Sequence, residues 1–126
     1  MTLLRDTHSY NWWLSEPERL SPAAGLALGA ADEVVVASIT WYEFAWLAVR
    51  GRINTSGSAE SWLRRISRDV RTIGLTPSIA AAAAALPPTF SSDPADRIII
   101  AAAREHGWKL VSKDALIREH ASLGPG

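Results

Sequence analysis

The sequence predicts a single α/β domain in which helices cover both faces of a parallel sheet. The chain has 126 residues, 48% of them hydrophobic, which suffices for one core but not for two. Four short apolar runs alternate with helical segments, as in chains that fold into parallel sheets. The run Val34–Val36 is entirely β-branched, which is typical of a strand buried on both faces.

The predicted elements follow in order along the chain. Strands are predicted at 1–5, 34–37, 73–75 and 108–111. Helices are predicted at 7–14, 21–29, 38 or 40 to 50, 58–71, 76–86 and 93–106, with a short final helix from 114. Pro22, Pro77 and Pro94 each follow a Ser, Thr or Asp, which is the signal for a helix start. Residues 1–121 are assigned to the domain, and residues 122–126 are expected to fray.

Composition excludes several classes of protein. There are no cysteines, so the chain has neither disulfides nor thiolate metal ligands. The formal net charge is zero, so nucleic acid would have to be held by a local basic patch or by metal ions. No apolar run approaches eighteen residues, which predicts no membrane association and a cytoplasmic location.

Carboxylates follow the predicted strands. Asp6 follows the first strand, Glu43 lies near the start of the helix after the second, and Asp114 follows the last. Asp93 and Asp96 begin the helix that leads into the last strand. Ligands of open parallel sheets bind beyond the carboxyl ends of the strands, where these acids would meet. Oxygen ligands without Cys or suitably spaced His favour Mg²⁺ or Mn²⁺.

Helix capping is the alternative interpretation of the same acids. Thr40 and Glu43 have the spacing of a capping box, and Asp93 before Pro94 has that of an N-cap. Two like charges ~4 Å apart oppose folding by roughly 4 kcal/mol at an effective dielectric near 20, so a real cluster requires a neutralising cation or proton. Spacing alone leaves both interpretations open.

Four segments together resemble the acidic motifs of PIN-domain proteins, in order and over almost the whole chain. They are Leu3–His8, Ser38–Glu43, Asp93–Ala101 and Leu110–Asp114. The chain is most similar to the VapC-type toxin ribonucleases of type II toxin–antitoxin pairs. That resemblance implies a PIN-like three-layer sandwich with a parallel sheet of four to five strands. It also implies a Mg²⁺- or Mn²⁺-dependent endoribonuclease that hydrolyses RNA phosphodiester bonds, and a cognate antitoxin that inhibits it.

The resemblance also implies roles for individual residues. The four acids that it makes catalytic are Asp6, Glu43, Asp96 and Asp114. Of these, Asp6, Asp96 and Asp114 would bind metal directly, and Glu43 would do so directly or through water. The residues expected to support these acids are Thr7, Ser112, Asp93 and Ser38.

Arg5 departs from the family pattern, in which an aliphatic residue precedes the first acid. A cation here either lies beside the acids, where it would weaken metal binding, or lies in the layer that covers the sheet. The alternative function is therefore a catalytically impaired PIN-fold module that binds RNA or protein.

Two surface features complete the analysis. Arg64, Arg65, Arg68 and Arg71 lie off the apolar stripe of their predicted helix, which indicates either an ordinary solvated face or an RNA-binding edge. Six Trp residues are too many for so small a core, so some are expected to contact an antitoxin or a second copy in a homodimer.

Overall fold

Five strands and six helices make up the described part of the chain. The structure is a computed structural model, and it describes residues 1–15, 18, 21–111 and 116–117. The strands are β1 (Thr2–Arg5), β2 (Glu33–Ala37), β3 (Arg71–Ile73), β4 (Lys109–Val111) and β5 (Leu116–Ile117). The helices are α1 (Thr7–Ser15), α2 (Pro22–Ala30), α3 (Ser38–Val49), α4 (Ala59–Ser67), α5 (Pro77–Ala85) and α6 (Pro94–His106). None of these helices is long and apolar enough to cross a membrane.

The strands form one sheet in the order β3-β2-β1-β4-β5. The first four are parallel, and Leu4 of β1 pairs with Val35 of β2 and Leu110 of β4. This confirms the predicted parallel sheet. β5 is antiparallel to β4, with Ile117 opposite Leu110. The prediction of a short final helix from 114 is therefore wrong at 116–117, where the chain forms a strand that pairs with β4. A strand of two residues is too short to show an alternation of apolar and polar side chains in the sequence.

Helices cover both faces of the sheet, as predicted for a three-layer sandwich. Leu4 and Val35 face a core shared with Ile79 of α5 and Ile99 of α6. On the other face, Leu3 packs against α2, and Val36 packs against side chains of α1 and α3. Successive strand residues point to opposite faces, so Arg5 shares the face of Leu3.

The helix starts follow the predicted signals. The hydroxyl of Ser21 accepts a hydrogen bond from Ala24 N at 3.1 Å, and Thr76 and Asp93 cap α5 and α6 in the same manner. Gly107 ends α6 with φ of +69°, a left-handed conformation that disfavours side chains with a Cβ.

α4 is shorter than predicted. It ends at Ser67, so Arg71 lies in β3 and not on the helix. The apolar period misled the prediction because Val70 joins the same hydrophobic cluster as Trp62 and Ile66 although the helix has already ended. β3 accordingly begins two residues before its predicted start and pairs with β2.

Candidate active site

The carboxyl ends of β1, β2 and β4 meet at one edge of the sheet, and the candidate site lies there. Asp6 directly follows β1, and its backbone N–H donates to Val111 O of β4 at 3.0 Å. α3 begins at Ser38, directly after β2. The chain runs from β1 outward through β2 to β3 and then returns to β4 on the other side of β1. Open α/β sheets bind ligands at such a reversal of strand order.

Thr7 joins the start of α1 to α3. Its Oγ1 donates a hydrogen bond to Glu43 Oε1 and lies 3.0 Å from Thr40 Oγ1. Each hydroxyl has one proton, so Thr40 is the donor to Thr7. Both threonines are buried, so the hydrogen bond from Thr7 restricts the orientation of the Glu43 carboxylate. The structure thus places Thr7 beside the carboxylate of Glu43.

Glu43 is not part of a capping box. α3 starts at Ser38 with Ala37 at its N-cap position, so Thr40 is the third helical residue and Glu43 the sixth. The interpretation of Thr40 and Glu43 as a cap is therefore wrong. β2 continues into α3 without a loop, so the N-cap is Ala37, three residues before the Thr40 that the capping-box interpretation requires.

Asp93 and Asp96 have different local roles at the start of α6. Asp93 Oδ1 accepts a hydrogen bond from Ala95 N at 3.0 Å, which confirms the N-cap. Asp96 is half-buried, and its Oδ2 accepts from Ser91 Oγ at 3.3 Å. The same Ser91 hydroxyl accepts from Asp93 N at 3.1 Å. Ser91 was not predicted, because a Ser in a loop carries no signal of which side chain it will contact.

The acids affect one another electrostatically. Burial raises the pKa of Glu43, and the negative charges of Asp93 and Asp96 raise it further, against the opposing effects of Thr7 and His8. Burial and then Asp93 raise the pKa of Asp96, while Ser91 and His8 lower it. Such shifts require half-buried carboxylates lying near one another.

A cavity of about 490 Å³ opens beside these acids. Its polar lining is Thr7, His8, Glu43 and Asp93, and its apolar lining includes Ile39, Tyr42, Trp46, Leu47 and Pro94. The raised pKa of Glu43 in the wall of a cavity is a feature typical of functional sites. We refer to it as the acidic cavity.

A larger cavity, of about 640 Å³, lies on the α2 face of the sheet. Two of its acids are already neutralised, because Asp32 pairs with the N-terminal ammonium group and Glu33 with Arg71.

Arg5 lines this larger cavity and is only 4% exposed. Its guanidinium carbon lies 5.3 Å from the centroid of the Tyr10 ring. Arg5 therefore lies in the covering layer. Burial lowers its pKa to about 10, against the opposing effects of Tyr10 and Asp6.

The described residues contain only some of the predicted metal ligands, and these do not form a three-residue metal-binding group. Within 1–15, 18, 21–111 and 116–117, no group of three or more His, Cys, Asp or Glu side chains has the geometry to hold an ion. Asp114 and Ser112 lie outside this range. The donor atoms that are present, carboxylate and hydroxyl oxygens, match in kind those that bind hard divalent cations.

Ser38 and the four predicted arginines do not line the acidic cavity. Ser38 is half-buried at the first position of α3. Arg64, Arg65 and Arg68 are exposed on or just after α4, and Arg64 pairs with Glu60. Arg71 does not extend this row, because it lies in β3 and donates to Glu33 Oε1 at 3.0 Å. The row of arginines considered as an RNA-binding edge thus has three members. Arg64 and Arg65 lie in α4, and Arg68 is its C-cap residue.

Comparison with known proteins identifies relatives of the whole domain. The family model described as PIN domain matches residues 3–123. Ribonuclease VapC22 of Mycobacterium tuberculosis is 53% identical over 124 residues, which cover 98% of this chain and 95% of the relative.

Two solved structures share the fold. A toxin–antitoxin complex from Klebsiella pneumoniae contains a chain with a TM-score of 0.64 and 25% identity, covering 86% of this chain and 82% of that one. FitAB bound to the IR36 DNA fragment has a TM-score of 0.53 and 21% identity, with coverage of 87% and 82%. Together with the family match, these similarities show that the chain belongs to the PIN-domain family and, within it, to the VapC type.

Proposed function

We propose that this protein is a divalent-metal-dependent endoribonuclease that hydrolyses RNA phosphodiester bonds as the toxin of a type II toxin–antitoxin system. The observation that carries the proposal is the group of electrostatically interacting acids Glu43, Asp93 and Asp96 at the carboxyl edge of the sheet. Two of them, Glu43 and Asp93, line the acidic cavity. The name of the relative that is 53% identical, a ribonuclease, supports the same activity.

Asp6, Glu43, Asp96 and Asp114 are the proposed catalytic and metal-binding acids. A divalent ion bound to them lowers the pKa of bound water and neutralises the charge that develops on the phosphoryl oxygens. Thr7 holds Glu43 in one orientation, and Ser91 holds Asp96. Asp93 keeps the first turn of α6 in place and adds negative charge that favours cation binding. Ser112 and Ser38 stay candidates for the same supporting role, and Mg²⁺ and Mn²⁺ both suit these donors.

The test is cleavage of a single-stranded RNA by purified protein in Mg²⁺ or Mn²⁺, with a chelator control. Asp6→Asn, Glu43→Gln, Asp96→Asn and Asp114→Asn are each expected to lower kcat roughly a hundredfold or more, because each removes a charged oxygen ligand. Asp69→Asn, an exposed aspartate that does not line the acidic cavity, is the matched control. Full activity of Asp6→Asn, or cleavage that persists in chelator, would refute the proposal.

The antitoxin, the homodimer and the cytoplasmic location belong to the same proposal. The related chain from Klebsiella pneumoniae occurs in a toxin–antitoxin complex, which supports an antitoxin partner. Large exposed apolar side chains such as Val49 and Leu75 are available for protein contacts. Sedimentation of the protein alone, and then with the product of a neighbouring small gene, measures both associations.

A further inference from the structure

The apolar wall of the acidic cavity is an exposed aromatic ridge on α3. Tyr42 and Trp46 both line the cavity, 65% and 39% exposed, and they lie one helical turn apart. The neighbouring Trp41 and Phe44, in contrast, pack into the core between α3 and α4. The fold therefore buries one aromatic face of α3 and leaves the other beside the acids.

Arg50 lies at the far end of this ridge. Its guanidinium carbon is 3.8 Å from the centroid of the Trp46 ring, and its Nη1 donates to Trp46 O at 3.4 Å. A cation this close to an indole restricts the ring's orientation. It also places a positive charge over the Trp46 ring, directly against the ridge.

The chemistry of the cavity favours an uncharged, flat group beside the phosphate. Glu43 and Asp93 repel phosphates wherever no cation neutralises them, and the chain has no net positive charge to compensate. Binding of RNA near the cleavage site therefore has to come largely from contacts that need no charge. Stacking of an unpaired base on an aromatic side chain supplies such a contact.

We propose that Tyr42 and Trp46 form a subsite for one unpaired nucleobase of the RNA, adjacent to the phosphate that is cut. Arg50 contacts a neighbouring phosphate from the outer end of the ridge. The proposal rests on the ribonuclease activity proposed above. It moves RNA recognition from the arginines of α4 to the exposed face of α3, in direct continuity with the acids.

The experiment combines protein variants with modified RNA. After the cleavage position in a synthetic single-stranded RNA has been mapped, each flanking nucleotide is replaced in turn by an abasic one. Trp46→Leu is compared with Trp46→Phe, which keeps an aromatic face. Leu26→Ala, at a 76% exposed residue of α2 that does not line the acidic cavity, is the control.

Trp46→Leu is expected to raise KM roughly tenfold with a smaller change in kcat, and Trp46→Phe to recover most of the loss. With the parent protein, an abasic nucleotide at one position should raise KM about as much as Trp46→Leu does on intact RNA. With Trp46→Leu, the same abasic RNA should raise KM little further, because both changes remove the same contact. Leu26→Ala should match the parent.

The base subsite would be overturned if Trp46→Leu left KM unchanged. It would also be overturned if the fold-changes in KM caused by the variant and by the abasic RNA multiplied, as independent effects do. Either result would leave the ribonuclease proposal intact. A fall in molecular mass of Trp46→Leu on sedimentation would show that the ridge contacts a second copy instead. Absence of cleavage by the parent protein overturns both proposals.

Discussion

Arg97 is expected to be one of the most sensitive positions for stability, because a single guanidinium group ties α5 to the start of α6. Its Nε donates to Ala83 O at 3.1 Å and its Nη1 to Ser91 O at 3.0 Å. The other carbonyl acceptors of this group are those of Leu86, Pro87 and Ala84. These carbonyls belong to the end of α5 and to the segment that precedes α6. Ala83 O and Pro87 O also accept backbone N–H groups, from Leu86 and Phe90 respectively.

The substitution Arg97→Met keeps the aliphatic stem and removes every donor. Three of the accepting carbonyls, those of Ala83, Leu86 and Ser91, take part in partly buried hydrogen bonds, and the other two lie in exposed ones that water can replace. At about 1 kcal/mol for each partly buried bond, the expected loss is about 3 kcal/mol. For a domain of this size, that corresponds to a fall in Tm of roughly 10 °C.

Urea unfolding measures this loss as a lower midpoint at unchanged m. Arg104→Met makes the same change on the same helix, where no hydrogen bond of comparable kind is formed within the described residues, and should cost less than about 1 kcal/mol. Arg97→Lys keeps the charge but reaches only one carbonyl at a time, so it should recover a minor part. A loss below about 1 kcal/mol for Arg97→Met would refute the assignment of Arg97 as the residue that holds this connection.

Three further predictions concern single side chains. In chelator, Glu43→Gln should have a higher Tm than the parent at pH 7, and the difference in Tm should shrink as the pH falls toward 4. The reason is that the pKa of Glu43 is raised in the folded state, so ionisation of this carboxyl costs stability as the pH rises through that pKa. A parent protein with the higher Tm at pH 7 would contradict the prediction. Gly107→Ala should destabilise by about 1 kcal/mol in urea, because φ is +69° there, and an unchanged midpoint would argue against that conformation. Tyr10→Phe removes the donor to Ile66 O at 3.1 Å and should cost about 1 kcal/mol, whereas equal stability would mean that water replaces the bond.

Local sequence signals predicted the starts of several helices. Ser21, Thr76 and Asp93 each accept a backbone N–H within three residues, so their effect is complete within a short segment and can be read from that segment. The errors lie where distant residues decide. β5 forms because it pairs with β4, and α4 ends early although Val70 continues its apolar period.

The same distinction applies to the candidate site. The positions of Asp6 and Glu43 after two parallel strands followed from where these acids stand relative to the predicted strands, and Asp93 followed from its cap. The contacts that orient the acids did not. Thr40 supports Thr7 from 33 residues away, and Ser91 reaches Asp96 through the path of a loop. Such contacts depend on side-chain directions that only the assembled layers determine.

Arg5 is the position at which the layered geometry matters most for function. The hypothesis of an impaired site required the Arg5 guanidinium to lie among the acids. Side chains alternate between the two faces of the sheet along β1, however, and Arg5 points to the same face as Leu3. There burial is the largest influence on its pKa and Tyr10 the second, with Asp6 third. The group remains charged at neutral pH with a pKa of about 10, so it contributes a positive potential near Asp6 without occupying the acidic cavity. Such a potential opposes the binding of a metal cation beside Asp6, because like charges repel.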